Sequence, residues 1–335
     1  MILKDRSIFQ KVSLTNRLHG LIHEGDSVLV GLSGGPDSAA LAAILSALTR
    51  SYKLKVYAAH LNHRLSKQAD SFQQSAKKTA ALFNLPFFCA EADITALSKK
   101  NKTSIEEAGR QARYSFFIRL ARQLKARSIA TAHTQDDQVE TVLFRLIRGT
   151  SIRGLSGIPY KREEKGFAII RPLLDCTKAE LLQLLRVNHL LYRIDHSNRS
   201  DAYRRNRIRH ELLPLLEKRL NPRVREAVVR LQKSSLDAAP VLSHVLDRSW
   251  TACRPTVSKQ KVVLNRHVFD RQQNFLKQEL FLRAVDSLGL GRQSIGRTHL
   301  ESIPNLLNVP GKKGDYFPGF TVTIDGQKIT WRRKR

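Results

Sequence analysis

"VLVGLSGGPDSAALAAIL", residues Val28–Leu45, passes from an apolar strand-like run through a glycine turn into an apolar helical run that opens on an acid. A turn from the carboxyl end of a parallel strand to a helix N-terminus is where open α/β sheets hold ligands. Backbone N–H groups and the helix dipole both point at the ligand there. Gly34 and Gly35 let the backbone curl around an anion without Cβ clashes, Pro36 suits the opening of a helix, and Ser33 and Ser38 offer hydroxyls. Asp37 is the odd member, because a carboxylate beside phosphates is repelled unless a cation lies between. Mg2+, held through one or two carboxylates plus substrate phosphates, would be that cation. The string is not G-x-x-x-x-G-K-S/T, whose lysine reaches the β and γ phosphates. The missing lysine argues against transfer of the terminal phosphoryl group.

Around this turn, from Ser27 to about Arg148, apolar strand-like runs alternate with helical runs, the pattern of a parallel sheet covered on both faces. The strands read as "SVLVGL", "KLKVYAAHL", "PFFCAEA" and "SIATAH"; the helices as "DSAALAAILSAL", "ADSFQQSAKKTAALF" and "SIEEAGRQARYSFFIRLARQLKA". Ser104 with Glu107, and Thr177 with Glu180 in "TKAELLQLLRVN", stand at capping-box spacing. "DDQVETVLFRLIRG" reads as a helix with an acidic first turn, its acids at the first two helical positions, and a glycine exit at Gly149. "NRSDAYRRNRIRHELLPLLEKRLNPRVREAVVRL" reads as helices with arginine on one face and leucine on the other. Near Pro222 the alternation stops. A mostly helical remainder ends in "FPGFTVTIDGQKITW", a hairpin turned at Asp325–Gly326. The expected architecture is therefore α/β, a parallel doubly wound sheet over residues 1–221, followed by a smaller, mainly helical domain over 222–335 that ends in a β-hairpin.

Lys and Arg number 58 against 29 Asp and Glu in 335 residues, a net charge of +29 spread along the chain, which favours a polyanionic partner. No apolar stretch approaches the roughly 20 residues that span a bilayer, and "MILKDRSIFQKVSL" carries charges where a signal peptide is apolar. The expectation is a cytoplasmic protein with no membrane partner. Cys89, Cys176 and Cys253 are isolated, without zinc or iron–sulfur spacing, and read as small buried apolar residues.

SGGPDS resembles the pyrophosphate loop, SGGxDS, of the N-type ATP pyrophosphatase superfamily, which implies ATP as substrate and adenylation with pyrophosphate leaving. "AHLNHRL" (59–65), "EEAGRQARY" (106–114), "AHTQDDQVETVLFRLIRGTSIRGLSGIP" (132–159) and "RRNRIRHELLP" (204–214) resemble blocks of the tRNA(Ile)-lysidine synthetases. With "RPLLDCTKAELLQLLR" and "DHSNRSDAYRRN" they cover most of residues 27–222 in the family's order. The resemblance implies adenylation of the C2 carbonyl oxygen of the wobble cytidine in the CAU anticodon of tRNA(Ile), then attack by the ε-amine of free L-lysine. The chemistry accounts for the residue types. A urea-like carbonyl is a poor electrophile until adenylated, and an amine of reference pKa near 10.4 must lose a proton before it attacks.

By resemblance Ser33, Gly34, Gly35, Pro36, Asp37 and Ser38 hold ATP, and Asp37, Asp136, Asp137 and His133 form the catalytic set. Asp37 and Asp137 are the magnesium candidates, with Asp137 the more critical of the acid pair. Family members often carry a second histidine where this chain has Thr134, so a two-histidine mechanism is not expected. Arg110, Arg113 and Tyr114, and Arg205, Arg207 and Arg209, are the candidates for meeting the tRNA; Arg110 and Arg113 share a helix face. Few acids lie near "RRNRIRH", so salt bridging there is a weak alternative. "VPGKKGDYFPGF" (309–320) is a candidate for holding the acceptor end, within a C-terminal domain read as tRNA-binding. The other readings are a thiolase of the same superfamily acting on tRNA, a small-molecule ligase, and a non-catalytic RNA-binding protein with a decayed nucleotide site. The intact loop and acid pair speak against decay. A homodimer is left open.

Overall fold

The computed structural model describes residues 6–65, 68–190, 192–193, 204–290, 295, 313–317 and 319–334. The chain packs as two compact units, Met1–Ser235 and Leu236–Arg335. In the first, α1 (Arg6–His19) leads to β1 (Ser27–Gly31), α2 (Pro36–Tyr52), β2 (Lys55–Asn62), α3 (Ala69–Leu82) and β3 (Phe87–Glu91). There follow α4 (Ile94–Asn101), α5 (Ile105–Gln123), β4 (Ser128–Ala130), α6 (Gln135–Ile147) and α7 (Ile152–Leu155). Then come β5 (Lys161–Glu164), β6 (Phe167–Ile170), α8 (Lys178–Val187), α9 (Arg204–Arg207) and α10 (Leu213–Arg219). A π-helical turn, Ile208–Leu212, joins α9 to α10, whose Pro214 cannot donate to a regular helical ladder. α11 (Val224–Ala252) begins in this unit.

The sheet order is β3-β2-β1-β4-β6-β5, parallel throughout except for the edge strand β5, which runs antiparallel to β6. β1 is central: Val28 stands opposite Val56 on β2 and Ser128 on β4. The order reverses between β1 and β4, so the loops leaving their carboxyl ends splay to opposite sides and open a crevice.

The helices close the faces for reasons visible in their sequences. α2 is apolar on every side, and Ala39 through Leu45 are all buried, because α2 lies between the sheet and α8. On the other face α5 buries Phe116, Phe117, Ile118 and Leu120 against Leu29, Leu61 and Ile129. Each such side chain contributes about 1.5–3 kcal/mol. Gly31 is required there, since a Cβ would fall 2.8 Å from the Phe117 ring.

The strand–helix alternation ends earlier than expected, with β6 and α8, after which the described residues up to Pro222 hold only helices; the compact units divide at Ser235. The cause is packing: Val224, Val228 and Val229, in the first turns of α11, join a cluster with Val139, Val142 and Leu213. The second unit holds β7 (Thr256–Val257), β8 (Lys261–Asn265), α12 (Arg266–Asp270), α13 (Asn274–Ser287), β9 (Lys313–Phe317), β10 (Phe320–Ile324) and β11 (Lys328–Arg333). The expected hairpin is β10 and β11, and it forms the middle of a five-stranded antiparallel sheet, β7-β8-β11-β10-β9, built around Trp331, Phe269, Phe317 and Phe320. Of "VPGKKGDYFPGF", residues 309–312 and 318 lie outside the described residues, as do residues 195–203 of "DHSNRSDAYRRN". Among the described residues no helix is long and apolar enough to cross a membrane.

Candidate functional site

The glycine turn leaves β1 at the reversal point. Gly34 has φ +85°, and a Cβ there would fall 2.4 Å from the Phe72 carbonyl oxygen, so only glycine fits. The turn is held from outside: the Ser75 hydroxyl donates to the Gly34 carbonyl at 3.1 Å, and the Arg193 N–H donates to the same oxygen at 3.2 Å. It is held from inside by Ser38, whose Oγ accepts from the Ser33 N–H (3.1 Å) and donates to the Gly35 carbonyl (3.0 Å). Gly35 is the N-cap of α2 and Pro36 opens the helix. The first-turn N–H groups of α2 therefore face the crevice without a side-chain cap.

Asp37 stands in that first turn, half-buried, and none of the described side chains hydrogen-bonds or ion-pairs with its carboxylate. Burial is the main force on it and lifts its pKa to about 6; Lys178 opposes, while Asp137 and Asp136 push the same way as burial. The three acids and Lys178 thus share one electrostatic neighbourhood, although they come from α2, α6 and α8.

Across the crevice, α6 opens with Thr134 as N-cap and Asp137 at the third position in a reciprocal capping box. The acids therefore occupy the second and third helical positions, one later than the sequence suggested, because Thr134 rather than Gln135 makes the cap. Asp137 Oδ2 accepts from the Thr134 N–H (2.8 Å) and hydroxyl (2.9 Å). Its Oδ1 faces Lys178 Nζ at 3.8 Å and Arg209 Nη2 at 3.6 Å. Burial works to raise the Asp137 pKa, but Lys178, Thr134 and His133 together hold it below the usual carboxylate range. Asp136 is committed: one oxygen accepts from the Lys178 backbone N–H (2.8 Å), the other pairs with Arg225 at 3.1 Å. Thr134 is fully buried, and its work is the cap.

His133, on the loop after β4, shares a hydrogen bond between its Nδ1 and the Thr131 hydroxyl at 3.0 Å. Burial drives its pKa down to about 4, so at neutral pH the ring is uncharged.

The arginines divide. Arg209, expected to meet RNA, is turned inward. Its guanidinium forks onto Glu140, with Nε 2.6 Å from Oε1 and Nη2 2.8 Å from Oε2. Acids are indeed scarce around it in sequence; the fold supplies one from α6. Arg205 donates to Thr141 Oγ1 at 2.7 Å, and Arg207 pairs with Glu211 one turn away on the exposed side. Arg110 and Arg113 are neighbours on α5 with different partners: Arg110 lies over the Tyr114 ring at 5.0 Å, and Arg113 Nη2 is 3.4 Å from His63 Nε2.

Lys178, Glu140, Arg225, Arg171 and His63 were not foreseen. Two carried a signal. Glu140 lies three and four positions after Asp137 and Asp136, on the same helix face. Lys178 is a cation at the first position of a helix, where the dipole disfavours one. Arg225 and Arg171 meet their neighbours only through the fold.

Residues 9–216 match the PP-loop domain family. The chain is 37% identical over 235 residues to the tRNA(Ile)-lysidine synthase of Petrotoga mobilis (strain DSM 10674 / SJ95), covering 70% of this chain and 73% of that protein. It is 32% identical over 302 residues to the tRNA(Ile)-lysidine synthase of Clostridioides difficile (strain 630), covering 89% of this chain and 64% of that protein. It spans 62% of a third such protein, from Clostridium tetani (strain Massachusetts / E88), at 33% identity over 87% of this chain, so it falls short of two thirds of the length of both clostridial relatives. Among solved structures, the U34-tRNA thiolase NcsA from Methanococcus maripaludis superposes with a TM-score of 0.56 over 69% of this chain and 78% of that one, at 19% identity. That likeness is one of fold.

Proposed function

The chain belongs to the PP-loop domain family and, within it, to the tRNA(Ile)-lysidine synthases, and from that premise we propose that it joins free L-lysine to the wobble cytidine of a tRNA(Ile) with a CAU anticodon. The cytidine C2 carbonyl oxygen attacks the α-phosphorus of ATP and pyrophosphate leaves. The lysine ε-amine, having given up a proton, then attacks C2, and AMP departs with the original oxygen.

The observation that carries the reading is the uncommitted Asp37 carboxylate in the open first turn of α2, facing Asp137 and Lys178 across the crevice between β1 and β4. The turn offers backbone N–H groups to the β and γ phosphates that depart as pyrophosphate. Lys178 supplies from α8 the positive charge that the loop lacks. Two carboxylates would hold magnesium: Asp37, with both oxygens free of described partners, and Asp137 through Oδ1, which the ion would share with Lys178 and Arg209 while Oδ2 stays on the cap. Bound there with the phosphates, the ion would offset their charge. Asp136 is the positioning acid, since both its oxygens tie α6 to α8 and α11. His133, uncharged, is left with Nε2 toward the substrate once Nδ1 is engaged by Thr131.

The tRNA fits the charge of +29, and in the second unit β11 adds exposed Lys328, Arg332 and Arg333. A reaction that takes tRNA, ATP and free lysine belongs to the cytoplasm. Thiolation is the less favoured reading. Sulfur relay needs cysteines that can work together, whereas burial pushes Cys176 up to about 12 and Cys253 up to about 11, and Cys89, expected to be buried like them, is exposed at the sheet-edge strand β3 and stands alone in sequence.

The test is incorporation of radiolabelled lysine into unmodified tRNA(Ile) with a CAU anticodon, given ATP and magnesium, by the wild type and by Asp137→Asn. Labelling that needs ATP and vanishes in the variant supports both the reaction and the acid. Pyrophosphate release without labelling would remove lysine from the proposal and leave adenylation.

A further inference from the structure

Near His133 the fold gathers three arginines around one phenol. Arg171 follows β6, Arg162 is on β5, and Arg110 and Tyr114 are on α5. The guanidiniums of Arg110 and Arg162 each lie 5.0 Å from the centroid of the Tyr114 ring. Arg171 is only 2% exposed, and Tyr114 is buried with it. A guanidinium that deep ordinarily pairs with a carboxylate. Arg171 pairs with none among the described residues: its Nη1 donates to the Pro159 carbonyl at 2.6 Å, and its Nε is buried without a partner. The Nε of Arg162 is in the same condition, and Glu164, beside it on β5, is taken by the other end of Arg162. Burial and the neighbouring arginine charges act against the charge on Arg171, with the Tyr114 phenol as the largest favourable influence. The charges of Arg171, Arg110 and Arg205 also bear on His133.

This neighbourhood holds three positive charges against one negative, with two orphaned donors, at the carboxyl edge of the sheet where ligands enter. The Tyr114 ring is occupied by guanidiniums, so the cluster offers charge and hydrogen bonds, and little stacking face for a base.

We propose that Arg110, Arg162 and Arg171, assembled on Tyr114, form a subsite for a backbone phosphate of the RNA substrate, next to the reacting nucleotide. The inference rests on the tRNA reading above and adds to it two residues, Arg162 and Arg171, from outside the expected set. An RNA phosphodiester is favoured over the phosphates of ATP because the charges that bear on Asp37 in the glycine turn are those of Lys178, Asp137, Asp136 and Arg209, while Arg171 and Arg110 bear on His133. The phosphate meets the accessible ends of Arg110 and Arg162, while Arg171, buried beneath them, acts on it through its charge, and the strand is fixed while the base turns toward His133.

The experiment measures binding of a 17-nucleotide-class anticodon stem-loop RNA, and separately of ATP with magnesium, to the full chain from ~0.05 to ~0.5 M salt. Arg162→Gln and Arg110→Gln are the variants, chosen because both side chains reach the surface. Each lost phosphate contact lowers the slope of log K against log salt by roughly 0.7–0.9, which at ~0.1 M salt is about five- to eightfold in affinity. The expected result is that loss for RNA in both variants, ATP affinity unchanged, and restoration of most of the slope by Arg162→Lys. RNA affinity and slope equal to wild type in both variants overturn the subsite. So does weakened ATP binding with RNA unchanged, which would give the arginines to the nucleotide, or equal loss of both ligands, which would make the cluster structural. If wild type itself fails to bind the stem-loop, the tRNA reading fails, and the subsite goes with it.

Discussion

Lys178 Nζ lies 3.8 Å from Asp137 Oδ1, a pair formed between the first turns of α8 and α6. Each residue stands at a helix N-terminus, where the dipole welcomes the acid and opposes the cation. The lysine is held there by Thr177, which caps α8 in a reciprocal box with Glu180, and by its own N–H bond to Asp136. A cation is thus kept at a disfavoured position beside Asp137 and within electrostatic reach of Asp37, and on the function proposed above it serves as the lysine that ordinary nucleotide loops carry in sequence.

Replacing Lys178 by Met should therefore lower ATP-dependent pyrophosphate release by about 10²–10³, the usual effect of removing one aligned charge from a developing anion. Stem-loop RNA binding should be unchanged. The reading is wrong if pyrophosphate release by the variant stays within about twofold of wild type.

Burial lifts Asp37 from 3.8 to about 6, so between those values the folded protein holds more proton than the unfolded chain. Its stability contribution is then full below pH ~4, falls as pH rises through the window, and is gone above pH ~6. Asp37→Asn removes this dependence. In urea titrations without nucleotide, the variant should be more stable than wild type at pH 8 by up to about 2–3 kcal/mol, and equal to it near pH 4. His133 is common to both proteins and cancels. A difference that is the same at both pH values would contradict the assignment.

Glu140 is almost fully buried and Arg209 about one third exposed, and they form a two-pronged pair. Glu140→Gln should cost about 2–3 kcal/mol, below the range for a fully buried pair because Arg209 keeps some water. The double variant Glu140→Gln/Arg209→Gln should recover at least half of it. Additive losses in that cycle would mean the two act independently.

Gly34→Ala places a methyl against the Phe72 carbonyl at a φ of +85°. The loop must shift, at about 1–3 kcal/mol, and nucleotide affinity should drop at least tenfold. Gly149→Ala is the control: φ there is +76°, with nothing within 4 Å of the added carbon. It should cost about 1 kcal/mol and leave ATP binding alone.

The sequence alone determined the central strands, the glycine turn and the Thr177 cap, because these are local matters. Val28–Leu45 shows strand, turn and helix through the periods of its apolar residues, and Thr177 with Glu180 forms the box its spacing implied. Asp37, Asp136, Asp137 and His133 were legible because each sits beside a strand end that the same periods mark. The tertiary structure alone decided what those residues face. Asp136 was free in sequence and is bound to Arg225; Arg209 pointed to RNA in sequence and is bound to Glu140; Arg171 carried no signal in sequence and is a buried cation without an acid among the described residues. Electrostatic partners are chosen by distance in space, and in this chain three helix N-termini and two strand ends meet at a sheet reversal that no local spacing records.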